Sequence, residues 1–118
     1  ESIVGKEYVS SDVAMRHSYL SRGIMGLEAT TAEVIVRPRY VEEVRKILII
    51  ANENHIPVTP AAGGLSGGYA APLIQPGGIL LDLSRMDRII EVNTDSRYVV
   101  LEPGVRSGKV WAYFRKAM

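Results

Sequence analysis

Nine consecutive residues carry the first chemical signal, Pro60-Ala61-Ala62-Gly63-Gly64-Leu65-Ser66-Gly67-Gly68. A second glycine pair, Gly77-Gly78, precedes an apolar stretch, Ile79-Leu80-Leu81. Six of the eleven glycines therefore fall between positions 63 and 78. Glycine loses more conformational freedom on folding than any other residue, so such a cluster needs a reason. One reason is chemical: uncovered backbone N–H groups in a concave run bind anions. The other is plain punctuation, a loop with two tight turns. Both remain open from residue types alone.

Other chemistries are excluded or weakened by composition. The chain of 118 residues has no cysteine, which removes disulfides, thiolate metal sites and cysteine nucleophiles. It leaves the redox compartment open. Two histidines are too few for a zinc site built within the chain, and no metal is expected. Fourteen Lys and Arg against thirteen Asp and Glu give a formal charge of +1. That balance offers no electrostatic case for nucleic acid or an anionic membrane. The longest pure apolar run, Ile47 to Ala51, is far shorter than a transmembrane helix. No basic segment followed by an apolar one reads as a signal peptide, and a cytoplasmic protein is expected. Peripheral membrane association through an electron acceptor is the secondary reading.

The elements that position the glycine run follow from periodicity. One domain is expected, at the small end of the usual range, burying roughly two-thirds of its unfolded surface. Ser11-Asp12 is placed to cap a short helix through Val13, Ala14, Met15 and Tyr19, with His17 on its surface. Ala32 to Val36 reads as a β-branched strand that Pro38 ends. Val41, Val44, Leu48 and Ala51 recur at helical spacing, so Val41 to Asn54 is a helix. Ile49 and Ile50 widen its apolar face, and cover on more than one side is expected. Tyr40 stands where Ser or Thr would cap better. Further strands are Ile56 to Thr59, Ile79 to Leu83, Ile89 to Val92 and Tyr98 to Leu101. Asn93 to Arg97 turns the last two into an antiparallel hairpin. Ser107 is placed to cap a final helix carrying Val110, Trp111 and Phe114. Helix, strand, helix, then strands, without strict βαβ alternation, predicts an α+β fold with a mixed sheet.

Four motifs fail. Gly63, Gly64, Gly67 and Gly68 do not match the dinucleotide Gly-x-Gly-x-x-Gly spacing, and Pro72 and Pro76 forbid the helix that motif opens. Gly104 to Lys109 imitates a phosphate loop but is a residue short, with Val110 where magnesium needs a hydroxyl. Asp82 and Asp87 are too isolated for a metal and suit turn and strand-end hydrogen bonds. Ser66 has no histidine near it in sequence, so a nucleophilic serine has little support.

Taken together, the ordered motifs resemble the FAD-binding (PCMH-type) domain of the vanillyl-alcohol oxidase superfamily, which includes D-lactate, glycolate and 4-cresol dehydrogenases. Val36-Arg37-Pro38 with Glu42-Glu43-Val44 resembles the opening strand–helix unit. Asn54 to Val58 resembles the exit into the next strand, and Gly63 to Pro72 the pyrophosphate loop. Gly78 to Met86, Glu91-Val92 and Val100 to Val105 resemble the strand series. The likeness runs from about residue 19 to 114. It implies an FAD whose pyrophosphate lies on backbone N–H groups of Ala61, Ala62, Gly63, Gly64, Leu65, Ser66, Gly67 and Gly68. Tyr69 to Pro72 would continue along the cofactor, and Pro103, Gly104 and Val105 would line its adenine and ribose side. Ala61-Ala62 replaces the usual Arg-Gly, and the loop is about one residue short. With no histidine or cysteine in the loop, covalent flavin attachment there is excluded.

The resemblance also implies a second lobe and a cap domain beyond this first lobe, supplied by a longer polypeptide or a partner subunit. The expected activity is FAD-dependent oxidation of a small 2-hydroxy acid by hydride transfer to the flavin, with the catalytic residues outside residues 1–118. Oxidation of a 4-alkylphenol or aryl alcohol is the alternative. A third reading is a lobe that acts only in assembly with a partner.

Overall fold

The computed structural model describes residues 1–19, 30–62 and 77–117. Its centre is a four-stranded sheet of β1 (Val9–Ser10), β2 (Val34–Val36), β3 (Val58–Ala61) and β4 (Ile79–Asp82). The spatial order is β1-β2-β4-β3. β1 runs antiparallel to β2, while β2, β4 and β3 are mutually parallel. β5 (Ile89–Asn93) and β6 (Tyr98–Leu101) form a separate antiparallel pair. The described residues also form a 3-10 turn at Lys6–Tyr8 and the α-helices α1 (Val13–Ser18), α2 (Val41–Glu53) and α3 (Ser107–Ala117). The α+β fold with a mixed sheet is the one the sequence predicts. It contains a unit the linear order hides: α2 joins parallel β2 and β3, and the later β4 inserts between them.

Both faces of the sheet are covered near its middle. Val36 and Leu81 pack with Ile47 of α2 and with Val4. Ile35 and Leu80 pack on the opposite face with Ala32, Met15 and Tyr19. Strands buried on both faces read as continuous apolar runs, as Val34-Ile35-Val36 and Ile79-Leu80-Leu81 do. Each such side chain contributes about 1.5–3 kcal/mol when fully buried.

Helix ends follow from specific residues. Asp12 caps α1, its carboxylate accepting the Met15 N–H at 3.0 Å. At the start of α2, the missing cap at Tyr40 is made good by Glu43, whose Oε2 accepts the N–H groups of Arg39 and Tyr40 at 2.6 and 3.2 Å. At the other end, Ile56 N–H donates to Ala51 O at 2.8 Å and His55 N–H to Asn52 O at 3.3 Å. That pairing needs a left-handed residue between them, and His55 has φ 53°. A side chain with a Cβ is strained there, so His55→Gly is expected to stabilise the chain by about 1 kcal/mol in urea denaturation.

Several expectations are corrected. β3 begins at Val58 rather than Ile56, because the Ile56 N–H is used in the α2 cap. The helical face widened by Ile49 and Ile50 is not covered a second time among the described residues: Leu48, Ile49 and Ile50 are 46%, 41% and 46% exposed. Ser107 is the first residue of α3 rather than its cap, since the Arg106 carbonyl accepts the N–H groups of Lys109 and Val110. The hairpin turn is as expected, with Asn93 Oδ1 accepting the Ser96 N–H at 2.7 Å.

Candidate functional site

Parallel strands bring their carboxyl ends to one edge, where ligands of such sheets collect. Here that edge carries Arg37 and Arg39 after β2, Ala61 and Ala62 at the end of β3, and Ser84 and Arg85 after β4. The register pairs Ala61 with Asp82. The glycine-rich connection therefore leaves the sheet at exposed Ala62 and rejoins it through Gly77 and Gly78 at the amino end of β4. Gly63, Gly64, Leu65, Ser66, Gly67, Gly68 and Tyr69 lie outside the described residues. Gly77 and Gly78 have φ 93° and 77°, and a Cβ on Gly78 would stand 2.3 Å from the Pro57 carbonyl oxygen. Gly77 is thus explained by its positive φ and Gly78 by close approach as well, which leaves the run at 63–68 to account for separately.

Asp82, the register partner of Ala61, is 5% exposed. Both its oxygens are engaged: Oδ1 accepts the Ser84 N–H at 2.8 Å and Oδ2 the Tyr19 hydroxyl at 2.5 Å. Burial, then the bond to Asp82, pushes the Tyr19 hydroxyl up to about 12, so it stays a donor at any ordinary pH. On α1, the Arg16 Nε is buried with no partner among the described residues, while Nη1 donates to Ala32 O at 3.4 Å. With both Asp82 oxygens already bonded, the end of β3 sets no free carboxylate of Asp82 against an anionic ligand such as the diphosphate of FAD. Tyr19 and Arg16 are not singled out by the sequence; only the fold brings Tyr19 to a residue 63 positions away.

The second predicted group lies on the far side of the β4–β5 turn. Pro103 is exposed, Val105 half-buried and Gly104 buried. Gly104 N–H donates to Met86 O at 2.8 Å and Val105 N–H to Glu102 O at 3.1 Å. Proline has no N–H, so these three residues have no free backbone donor. They can offer a ligand only apolar surface and carbonyl oxygens.

Next to them, Glu102 is 6% exposed and collects three bonds from Arg88. The backbone N–H bonds Oε2 at 2.7 Å, while Nε and Nη2 bond Oε1 at 2.9 and 2.6 Å. The Arg88 side chain, then its backbone N–H, holds the Glu102 carboxyl below the usual range. Its folded pKa thus lies below the unfolded one. The stability it adds is fully present above about pH 4.3 and is lost as pH falls through the lowered value. Urea midpoints measured between pH 7 and pH 3 are expected to fall at the acid end, and Glu102→Gln is expected to flatten that fall.

The imitation phosphate loop is spent internally, because Lys109 Nζ binds Asp87 Oδ2 at 2.8 Å. No cluster of three metal-ligating side chains occurs among the described residues. None of their helices is long and apolar enough to cross a membrane.

Comparison with known proteins places the fold in a family. The family described as "FAD binding domain" matches residues 32–118. The flavoprotein subunit of 4-cresol dehydrogenase from Pseudomonas putida is 37% identical over 64% of this chain and 15% of its own length. A probable mitochondrial D-lactate dehydrogenase from Danio rerio is 30% identical over 97% of this chain and 22% of its own length. The crystal structure of p-cresol methylhydroxylase with substrate bound superposes with a TM-score of 0.84 at 27% identity, covering 98% of this chain and 23% of that one. The chain thus spans less than a quarter of the length of these relatives. With its mixed sheet and the profile match over most of its length, the chain belongs to the FAD-binding domain family of the vanillyl-alcohol oxidase type of flavoproteins.

Proposed function

We propose that this chain holds FAD as part of a flavin-dependent oxidoreductase. The diphosphate lies on the backbone from Ala61 to Tyr69, and Pro103, Gly104 and Val105 face the adenine and ribose. The observation that carries this is topological: the glycine-rich connection leaves the carboxyl edge of a parallel sheet, beside a carboxylate whose oxygens are already bonded. Backbone donors suit a chain of formal charge +1, since they bind an anion without adding cations. Bound FAD would supply the redox chemistry, accepting a hydride from a substrate carbon and passing its electrons to an outside acceptor. The chain's own share is to bind and orient.

For the whole protein we propose a small 2-hydroxy acid as substrate, supported by the likeness to D-lactate dehydrogenase. A 4-alkylphenol is the second reading, favoured by the likeness to 4-cresol dehydrogenase and to p-cresol methylhydroxylase. Reduction of FAD in the full-length protein by D-lactate, but not by p-cresol, supports the first; the reverse supports the second. A protein that takes up FAD but is reduced by neither class contradicts both substrate readings.

A further inference from the structure

A cavity of about 210 Å³ is lined by Arg39, Tyr40, Arg85, Arg88 and Glu102. We propose that it binds a small phosphate-type oxyanion, at a site separate from the glycine run. Its lining carries three guanidinium groups and one carboxylate, a formal +2 on a chain whose total is +1. The single carboxylate is consumed, since both Glu102 oxygens are bonded by Arg88.

The other two arginines have no carboxylate at ion-pair distance among the described residues. Arg85 is held in place by two neutral contacts. Its Nη1 donates to Arg37 O at 2.7 Å, and its Cζ sits 3.3 Å from the centre of the Tyr8 ring. Arg39 lies with its Cζ 6.0 Å from the Tyr40 ring. The acids nearest in the chain have other partners: Asp82 bonds Tyr19 and Ser84, Asp87 bonds Lys109, Glu42 pairs with Arg45, and Glu43 accepts the backbone N–H groups of Arg39 and Tyr40. Like charges gathered in one concavity repel unless an anion joins them. Guanidinium forks match the oxygens of a phosphate two at a time. A tetrahedral oxyanion reaching Arg39 and Arg85 at once answers both facts.

The cavity's arginines lie after β2 and in the β4–β5 connection, whereas the glycine run leaves β3. Arg39 and Tyr40 follow β2, and Arg85 reaches back toward Tyr8, just before β1. The glycine run leaves β3, with β4 lying between β2 and β3.

The test is calorimetric titration of the flavin-loaded full-length protein with inorganic phosphate and with pyrophosphate. Sodium chloride and sodium acetate at matched ionic strength are the references. Saturable heat from the phosphate anions alone is expected, with the flavin absorbance unchanged. Arg39→Gln removes an exposed side chain and is expected to weaken that binding about tenfold or more. Arg45→Gln, which removes an arginine outside the cavity, is expected to leave it unchanged. No saturable heat, equal loss in both variants, or flavin release in step with anion binding would each overturn the proposal. If the protein takes up no flavin, the same titration of the flavin-free protein still decides the cavity through Arg39→Gln, while the FAD reading fails by itself.

Discussion

Gly104→Ala is expected to destabilise the chain by about 3 kcal/mol or more, close to unfolding it, given native stabilities of about 5–15 kcal/mol. A Cβ at this position would stand 2.4 Å from Leu83 O, 2.8 Å from Met86 O and 2.8 Å from the Ser84 Cα. All three are backbone atoms, so no side chain can swing away. The added carbon would push apart the two segments that the Gly104 N–H···O=C Met86 bond holds together. Overpacking usually costs about 1–3 kcal/mol, and more where the backbone itself must move. Gly108 supplies the control, because a Cβ there meets nothing within 4 Å. It lies inside α3, so Gly108→Ala is expected to be neutral or to stabilise by up to about 1 kcal/mol. Urea denaturation of the two variants measures the contrast. Equal midpoints would mean that the turn from Leu83 to Met86 does not pack on Gly104.

The second large effect concerns the cofactor. Gly64→Asp combined with Gly67→Asp is expected to raise the FAD dissociation constant by about 100-fold or more, a loss of about 2.7 kcal/mol. Two side chains would cover backbone N–H groups, and two carboxylates would stand against a diphosphate. The thermal midpoint of the flavin-free variant, measured beside the parent's, separates lost affinity from lost fold. Titration of flavin fluorescence reads the affinity. A dissociation constant within about threefold of the parent, less than 1 kcal/mol, would place the diphosphate elsewhere.

How much of this was legible beforehand differs by element. α1 and α2 were readable because capping chemistry and helical spacing are local: Asp12, the Val41 to Ala51 stripe and the break at Asn54 all act within a few residues. The hairpin was readable because Asn93 makes its own turn. The split βαβ unit was not, because insertion of β4 between β2 and β3 is a tertiary choice that no local pattern records. The start of β3 was misplaced for a physical reason, since Ile56 closes a helix cap through Ala51 O before any strand begins. The breadth of the apolar stripe at Leu48, Ile49 and Ile50 suggested a buried helix, yet that face is open among the described residues.

For the candidate site, glycine count and spacing pointed to an anion loop without deciding it, and the ordered motifs carried the family. What stayed hidden were partners distant in sequence: Tyr19 on Asp82, and Arg88 on Glu102. Gly104 is a mixed case. Its position in the Glu102-Pro103-Gly104-Val105 motif was legible, but its packing against the Leu83 and Met86 carbonyls was not.

The central claim is that this protein holds FAD through the Ala61 to Tyr69 segment. Thermal melting with and without FAD, alongside the visible absorption spectrum, tests it most directly. The predicted result is a flavin spectrum that stays with the protein through gel filtration, and a midpoint that rises with FAD. At a hundred times the dissociation constant the gain is about 2.7 kcal/mol. A colourless protein whose midpoint does not move with excess FAD would contradict the claim.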